Sequence, residues 1–323
     1  MRIQTSRLFA TYSIVARDAE TRQLGVAVQT HQMCVGSVVP WVMPGVGALA
    51  TQARANISYG PIGLAMLREG VPAPRVVEAL VALDPQAHSR QVAVVDTEAR
   101  VGAWTGKNCI AEAGHHVGRG YSVQANMMDK DTVVEAMSAA YERATGDLAE
   151  RMMAALHAAQ RKGGDIRGMQ SAALKIVMGD RQELKDASVW ETVYDLRVDE
   201  HQDPLEELDR LVRLRKAQLL DSQGYVELGK GKRERALKTW EQARAKAPEL
   251  EEMSFWQAVR LADGHADVQT AAEILSPMLA KDERREHWID LIKRIQECGI
   301  IERPGAGDEL IAALGRLRKR NSR

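Results

Sequence analysis

The chain has 323 residues, enough for two domains and a substantial core. Its 44 basic and 44 acidic side chains cancel, which removes the global field that a binder of nucleic acid or anionic membrane would carry. Three scattered cysteines, Cys34, Cys109 and Cys298, offer neither a C-x-x-C pair nor a disulfide framework. No apolar run reaches membrane-span length and no signal peptide opens the chain, so a cytoplasmic protein is expected.

Residues 1–10 read as an N-terminal extension. Thr11-Tyr-Ser-Ile-Val-Ala and Leu24-Gly-Val-Ala-Val-Gln are β-branched, apolar runs separated by a polar turn. Gly47-Ala-Leu-Ala-Thr-Gln is a third run of this kind. None alternates cleanly, which predicts strands covered on both faces. The connection from Thr30 to Gly45 is punctuated by Pro40-Trp41 and Pro44-Gly45 and reads as turns. A helix carrying Leu64, Met66 and Leu67 follows, with Pro61 suited to its first turn, and another covers Pro74 to Leu83. Gln91–Val95 and Arg100–Trp104 flank a turn and predict a hairpin, and Gly106–Asn126 reads as loop-rich. Two amphipathic helices come next. The second opens at Asp147 with Glu150 three residues on, and stops at Gly163-Gly164. Ser171–Met178 is a further strand. Strands without strict strand–helix alternation point to an α+β layered domain, residues 11–195, rather than a doubly wound parallel sheet.

From about Asp203 the chain turns to charged, Ala- and Leu-rich helix. Gly224, Ala236, Trp240, Ala243 and Pro248 fall at the spacings of the 34-residue tetratricopeptide repeat, so residues 203–300 are expected to form an all-α, repeat-like domain. Pro304–Gly307 then leads to a final helix and basic tail, residues 304–323. Gly224–Lys230 copies most of a phosphate-binding loop. Gly231 takes the Ser/Thr place and no strand precedes the loop, so that reading fails.

Polar constellations suggest where chemistry resides. Thr11 opens a buried strand. As a chain terminus it would carry a hydroxyl beside a free amine, nucleophile and base in one residue. The stretch Gly163–Ala173 sets Asp165, Arg167, Gln170 and Ser171 before a buried strand, where a rigid scaffold holds reactive loops. The competing reading is a helix C-cap followed by an Asp–Arg brace of a turn. Arg54, Asn56 and Tyr59, preceded by Thr51 and Gln52, form a second polar cluster suited to an amide or a carboxylate, and equally to satisfying turn backbone. His31 and His115-His116 have no ligand spacing, so neither metal nor other cofactor is expected. Cys34 and Cys109 read as small core residues.

Several segments resemble the bacterial family catalogued as domain of unknown function 1028: Thr11-Tyr-Ser-Ile-Val-Ala-Arg-Asp, Leu24-Gly-Val-Ala-Val-Gln, Gly36-Ser-Val-Val-Pro-Trp, Ala50-Thr-Gln-Ala, Asn56-Ile-Ser-Tyr-Gly-Pro, Tyr121-Ser-Val-Gln-Ala-Asn and Asp165-Ile-Arg-Gly-Met-Gln-Ser-Ala-Ala. The resemblance covers roughly residues 9–195 and implies a four-layer αββα sandwich of the N-terminal-nucleophile hydrolase type. It further implies an amidohydrolase with Thr11 as nucleophile, acting on a small amide or peptide-like substrate. Asp165, Arg167, Gln170, Ser171, Asn56 and Asn126, with Thr51 and Gln52, would then orient the amine, bind substrate or hold an oxyanion. Sandwiches of this type often assemble through their outer helices, so a homo-oligomer is expected. Ten residues precede Thr11, so catalysis would need cleavage at Ala10–Thr11 or a start further downstream. Otherwise the chain is a non-catalytic binding protein whose helical repeat recruits a protein partner.

Overall fold

The computed structural model describes residues 8–9, 11–180, 192–281 and 285–321. They form two compact units, residues 1–212 and 213–323.

The first unit contains two antiparallel sheets. The first sheet has the order β1-β5-β6-β7, with β4 also on β5: β1 is Leu8–Phe9, β4 Pro40–Met43, β5 Gly47–Arg54, β6 Arg90–Asp96 and β7 Val101–Thr105. The second runs β11-β10-β3-β2-β9-β8, with β2 Thr11–Arg17, β3 Leu24–Thr30, β8 Gly114–Gly118, β9 Tyr121–Asn126, β10 Ser171–Val177 and β11 Thr192–Val198. Every described pairing is antiparallel, as the absence of strand–helix alternation predicts.

The unbroken apolar runs have the expected cause. Val15, Val26, Val28, Ala48, Ala50, Ala93, Val95 and Ala173 meet between the two sheets. The alternate residues Leu49, Val92 and Val94 pack against Leu64, Leu67, Val76, Val77 and Leu80 of helices α1 (Tyr59–Arg68) and α2 (Ala73–Ala82). The outer face of the second sheet meets α3 (Val133–Arg143) and α4 (Leu148–Arg161). There Tyr121 Oη hydrogen-bonds Ser138 Oγ at 2.8 Å, and Tyr12 Oη donates to Gln160 Oε1 at 3.0 Å. The close approach is visible at Gly25, where a Cβ would lie 3.0 Å from Met152 Sδ. Helix α4 starts with the anticipated capping box. Glu150 N donates to Asp147 Oδ1 at 3.0 Å and Asp147 N to Glu150 Oε2 at 3.0 Å. It ends where Gly163 and Gly164 adopt φ of 105° and 62°.

Two stretches expected to be irregular contain strands. Gly106–Asn126 includes the β8–β9 hairpin, turning at Arg119-Gly120 with Gly120 at φ 75°. Three of the five residues of edge strand β8 are exposed, and β9 turns Ser122, Gln124 and Asn126 inward, so neither shows a hydrophobic period. The Thr30–Gly45 connection holds the four-residue β4. A sixth strand of the second sheet, β11, reaches past Asp195.

The second unit is helical: the later part of α5 (Pro204–Gly229), then α6 (Arg233–Lys246), α7 (Glu251–Gly264), α8 (Val268–Lys281), α9 (Arg285–Glu297) and α10 (Ala306–Asn321). Gly224 lets Trp240 lie against α5, since a Cβ there would come within 2.3 Å of the indole. Ala236, Trp240 and Phe255 share one buried cluster with Leu310 and Leu314 of α10. No described helix is long and apolar enough to cross a membrane.

Candidate functional site

Thr11 lies fully buried at the end of β2, directly opposite Thr30 of β3 on one side and Asn126 of β9 on the other. Residues opposite one another in antiparallel strands share a face, so these three side chains all look toward the first sheet. Thr11 Oγ1 donates to Thr30 Oγ1 at 3.3 Å. The carbonyl of Thr11 accepts from Gln52 Nε2 at 3.2 Å and Asn126 Nδ2 at 3.5 Å.

Behind Thr11 the inter-sheet layer is polar and uncharged. Gln91 Oε1 accepts from Gln52 Nε2 at 2.7 Å and Asn126 Nδ2 at 2.9 Å. Its Nε2 donates to Thr105 Oγ1, Gly114 O and Ala125 O at 2.9, 3.1 and 2.9 Å. Ser13 Oγ donates to Gln52 Oε1 and accepts from Gln124 Nε2, both at 2.6 Å, and Ser122 Oγ donates to Gln124 Oε1 at 3.0 Å. Gln52, Gln91, Gln124, Ser13 and Ser122 are wholly buried. Such a network rigidifies a site because every member is satisfied.

The polar loop after α4 reaches the same end through β3. Asp165 is buried. It accepts from His31 N at 3.0 Å and from Arg167 Nε and Nη2 at 3.1 and 2.9 Å. Gln170 contributes backbone, its N donating to Thr30 O at 3.0 Å and its O accepting from His201 N at 2.9 Å. Ser171 Oγ donates to Gln32 O and accepts from Val35 N at 3.1 Å. Asp165 and Ser171 therefore anchor the strand end that carries Thr30, with Arg167 as the partner of Asp165.

Two expected site residues lie elsewhere. Thr51 faces the helix side of β5, its Oγ1 donating to Asn56 O at 3.3 Å. Asn56 Nδ2 donates to Asp84 Oδ2 at 3.1 Å. Asp84 gathers the second polar cluster: Tyr59 Oη at 3.1 Å, Arg90 Nε at 2.9 Å and Gln86 N at 2.8 Å all reach it. Burial pushes the Asp84 carboxyl up. The Arg90, Gln86, Asn56 and Tyr59 hydrogen bonds outweigh that and hold it down to about 2.

Conversely, Ser13, Gln91, Gln124 and Thr30 drew no notice as site residues in the sequence. The available signal is spacing: Thr11/Ser13 and Ser122/Gln124/Asn126 are polar at alternate positions of otherwise apolar strands. Among the described residues no cluster of three or more His, Cys, Asp or Glu is arranged to hold a metal ion.

Residues 11–208 match the model of the Family of unknown function (DUF1028). The chain belongs to this family. The DUF1028 match begins at Thr11 itself and takes in both sheets from β2 onward. The crystal structure of protein SPO2555 from Silicibacter pomeroyi, a DUF1028 structure, is similar at 29% identity with a TM-score of 0.56. The similarity covers 63% of this chain and 84% of that one. No curated protein matches.

Proposed function

We propose that this DUF1028 chain is an amidohydrolase in which Thr11 acts once its nitrogen is a free amine. Its first unit would then be a four-layer αββα sandwich of the N-terminal-nucleophile type. The observation that carries the reading is the setting of Thr11: first residue of the family match, hydroxyl inward, carbonyl clamped by the amides of Gln52 and Asn126. A free α-amine at that point has an unperturbed pKa of about 7.7–8.0, so near neutral pH a useful fraction is unprotonated. The amine would take the Oγ1 proton as oxygen attacks a small amide's carbonyl carbon. The C–N bond then breaks, the departing amine leaves with that proton, and water hydrolyses the ester on Thr11. Gln52 and Asn126 would hold the backbone so that the amine and hydroxyl stay aligned.

The test compares a chain beginning at Thr11, its Thr11→Ala counterpart and the full chain against a panel of small amides. Turnover confined to the first supports the reading; equal turnover in Thr11→Ala ends it.

A second reading is favoured by β1. Leu8 and Phe9 pair with Arg54 and Ala53, so with these residues present the Thr11 nitrogen is a peptide nitrogen and supplies no base. In that state the domain is a non-catalytic binding protein, and its tetratricopeptide-like helices recruit a protein partner. N-terminal sequencing of the natively expressed chain separates the readings. A cytoplasmic location and assembly through the outer helices belong to both, and light scattering at micromolar concentration tests the assembly.

A further inference from the structure

Beside Thr11, at the far ends of β5 and β9, lies a pocket of about 240 Å³. Its wall includes Arg54, Ser89, Asn108, Cys109, Asn126 and Met127, and Arg54 is the one charged residue among the described lining. The Arg54 Nε is buried and makes no hydrogen bond, and its guanidinium has no hydrogen bond or ion pair with any described residue. The neighbouring cation is engaged: Arg90 Nε reaches Asp84 at 2.9 Å and its Nη1 donates to Arg54 O. Asp84 is in turn taken up by Arg90, Asn56, Tyr59 and Gln86 and offers Arg54 nothing. A guanidinium with no counter-ion among the described residues, beside a concave wall whose other described residues are neutral, is a site for an anion.

The backbone supports this. Ala53 and Met127, both lining the pocket, adopt φ of 63° and 59°, left-handed conformations that side chains of their kind rarely take. Such outliers gather at ligand clamps, where the surrounding structure enforces them. The remaining polar groups are neutral. Asn126 and Asn108 carry amides and Ser89 a hydroxyl. Cys109 keeps its proton, because burial raises its thiol pKa and it donates to Arg90 O at 3.4 Å.

We propose that this pocket binds the carboxylate of a small organic acid through Arg54. One guanidinium fork matches a carboxylate in charge and in bidentate geometry, whereas a phosphate would call for more cationic groups than the wall provides. The volume suits a small molecule, not a peptide chain. Asn126 lines the pocket and also donates to the Thr11 carbonyl at 3.5 Å, so the bound acid sits one side chain from Thr11. The proposal rests on the pocket and does not require Thr11 to react.

The test is calorimetric titration of the full chain with N-acetylglycine and with its neutral counterpart N-acetylglycinamide. The acid is expected to bind at least tenfold more tightly than the amide. Arg54→Gln should remove that preference and Arg54→Lys should keep part of it. Arg68→Gln, which changes an exposed arginine of α1 paired with Glu69, should leave it intact. Equal binding of acid and amide, no binding of the acid, or an unchanged preference in Arg54→Gln would each overturn the proposal. So would displacement of the acid by inorganic phosphate at equal concentration. The acid–amide comparison on the unaltered chain decides the matter alone if Arg54→Gln does not fold. None of these readouts involves turnover, so their failure leaves the amidohydrolase reading standing, and equal turnover in Thr11→Ala, which ends that reading, leaves this one standing.

Discussion

The space between the two sheets has two ends of opposite chemistry. At one, Val15, Val26, Val28, Ala48, Ala50, Ala93 and Val95 pack as any apolar interior does. At the other, Gln52, Gln91, Gln124, Asn126, Ser13 and Ser122 are just as buried and hold one another by hydrogen bonds. The apolar end tolerates approximate fit, because dispersion and burial are non-directional. The polar end does not: an amide that loses its partner retains a desolvation penalty. A protein that needed only stability would extend the valines. The amides lie where Thr11 sits, and two of them hold its carbonyl, so the difference between the ends is what the proposed role of Thr11 rests on.

That contrast is broken most severely at Gln91, which joins Gln52 and Asn126 on one side to Thr105, Gly114 and Ala125 on the other. Gln91→Leu keeps the volume but strands several buried donors and acceptors, and should destabilise the first unit by about 4 kcal/mol. At the apolar end Val28→Ala should cost about 2.5 kcal/mol, from lost transfer energy plus the cavity left behind. Urea unfolding read by hydrogen exchange at β2 and β9 amides measures both. An equal or reversed order would mean that the amide network contributes no more than packing.

The Gln52–Gln91–Gln124 network holds no charged side chain, whereas the neighbouring Asp84 cluster does, and acid sharpens that contrast. Asp84 is held down to about 2 by Arg90 and its neutral partners, against a carboxylate's ordinary 3.8. Its folded pKa is depressed, so its contribution is present above the unfolded pKa and is lost as pH falls through the folded one, between about pH 4 and pH 2. The loss should approach about 2 kcal/mol in wild type and vanish in Asp84→Asn, as followed by the urea midpoint against pH.

Most of the scaffold was legible because it is periodic or capped. The runs of β2, β3 and β5, the hairpin of β6 and β7 and the Asp147 capping box announce themselves within a few residues. The β8–β9 hairpin did not, because its inward residues are Ser122, Gln124 and Asn126 and its edge strand is exposed. At the site, Thr11, Gln52 and Asn126 do come together, and Asp165 and Ser171 secure the strand beside them. Thr51 and Gln52 are adjacent in the chain but face opposite sides of β5, one toward helices and one toward Thr11. Asn56 was drawn away by Asp84, 28 residues on. Gln91 was invisible because its role exists only across the gap between two sheets, and local sequence carries no trace of such a partner.

The smallest expected effect lies where the network meets solvent. Thr105 Oγ1 accepts from Gln91 Nε2 and lies 2.8 Å from His115 Nδ1, and in the tautomer with Nδ1 unprotonated the Thr105 hydroxyl donates to that nitrogen. Burial, with the neighbouring His116, lowers the His115 pKa and favours this neutral ring. The associated stability is present above the unfolded histidine pKa of about 6.5 and is lost as pH falls through the lower folded value. Protonation at Nδ1 would make the ring, like Gln91 Nε2, a donor to Thr105 Oγ1 and turn the Thr105 proton away from the ring. The chain of bonds from the Thr11 carbonyl through Gln52 and Asn126 to Gln91 and Thr105 would loosen at its outer end. Because His115 is only partly buried, solvent screens the effect to less than about 1 kcal/mol. It should nonetheless be seen as faster hydrogen exchange at β8 and β9 amides below pH 6.5 in wild type and not in His115→Gln. Exchange that spreads inward to β2 would show that the polar end responds as one cooperative unit, whereas exchange confined to β8 would show that Gln91 holds the interior on its own.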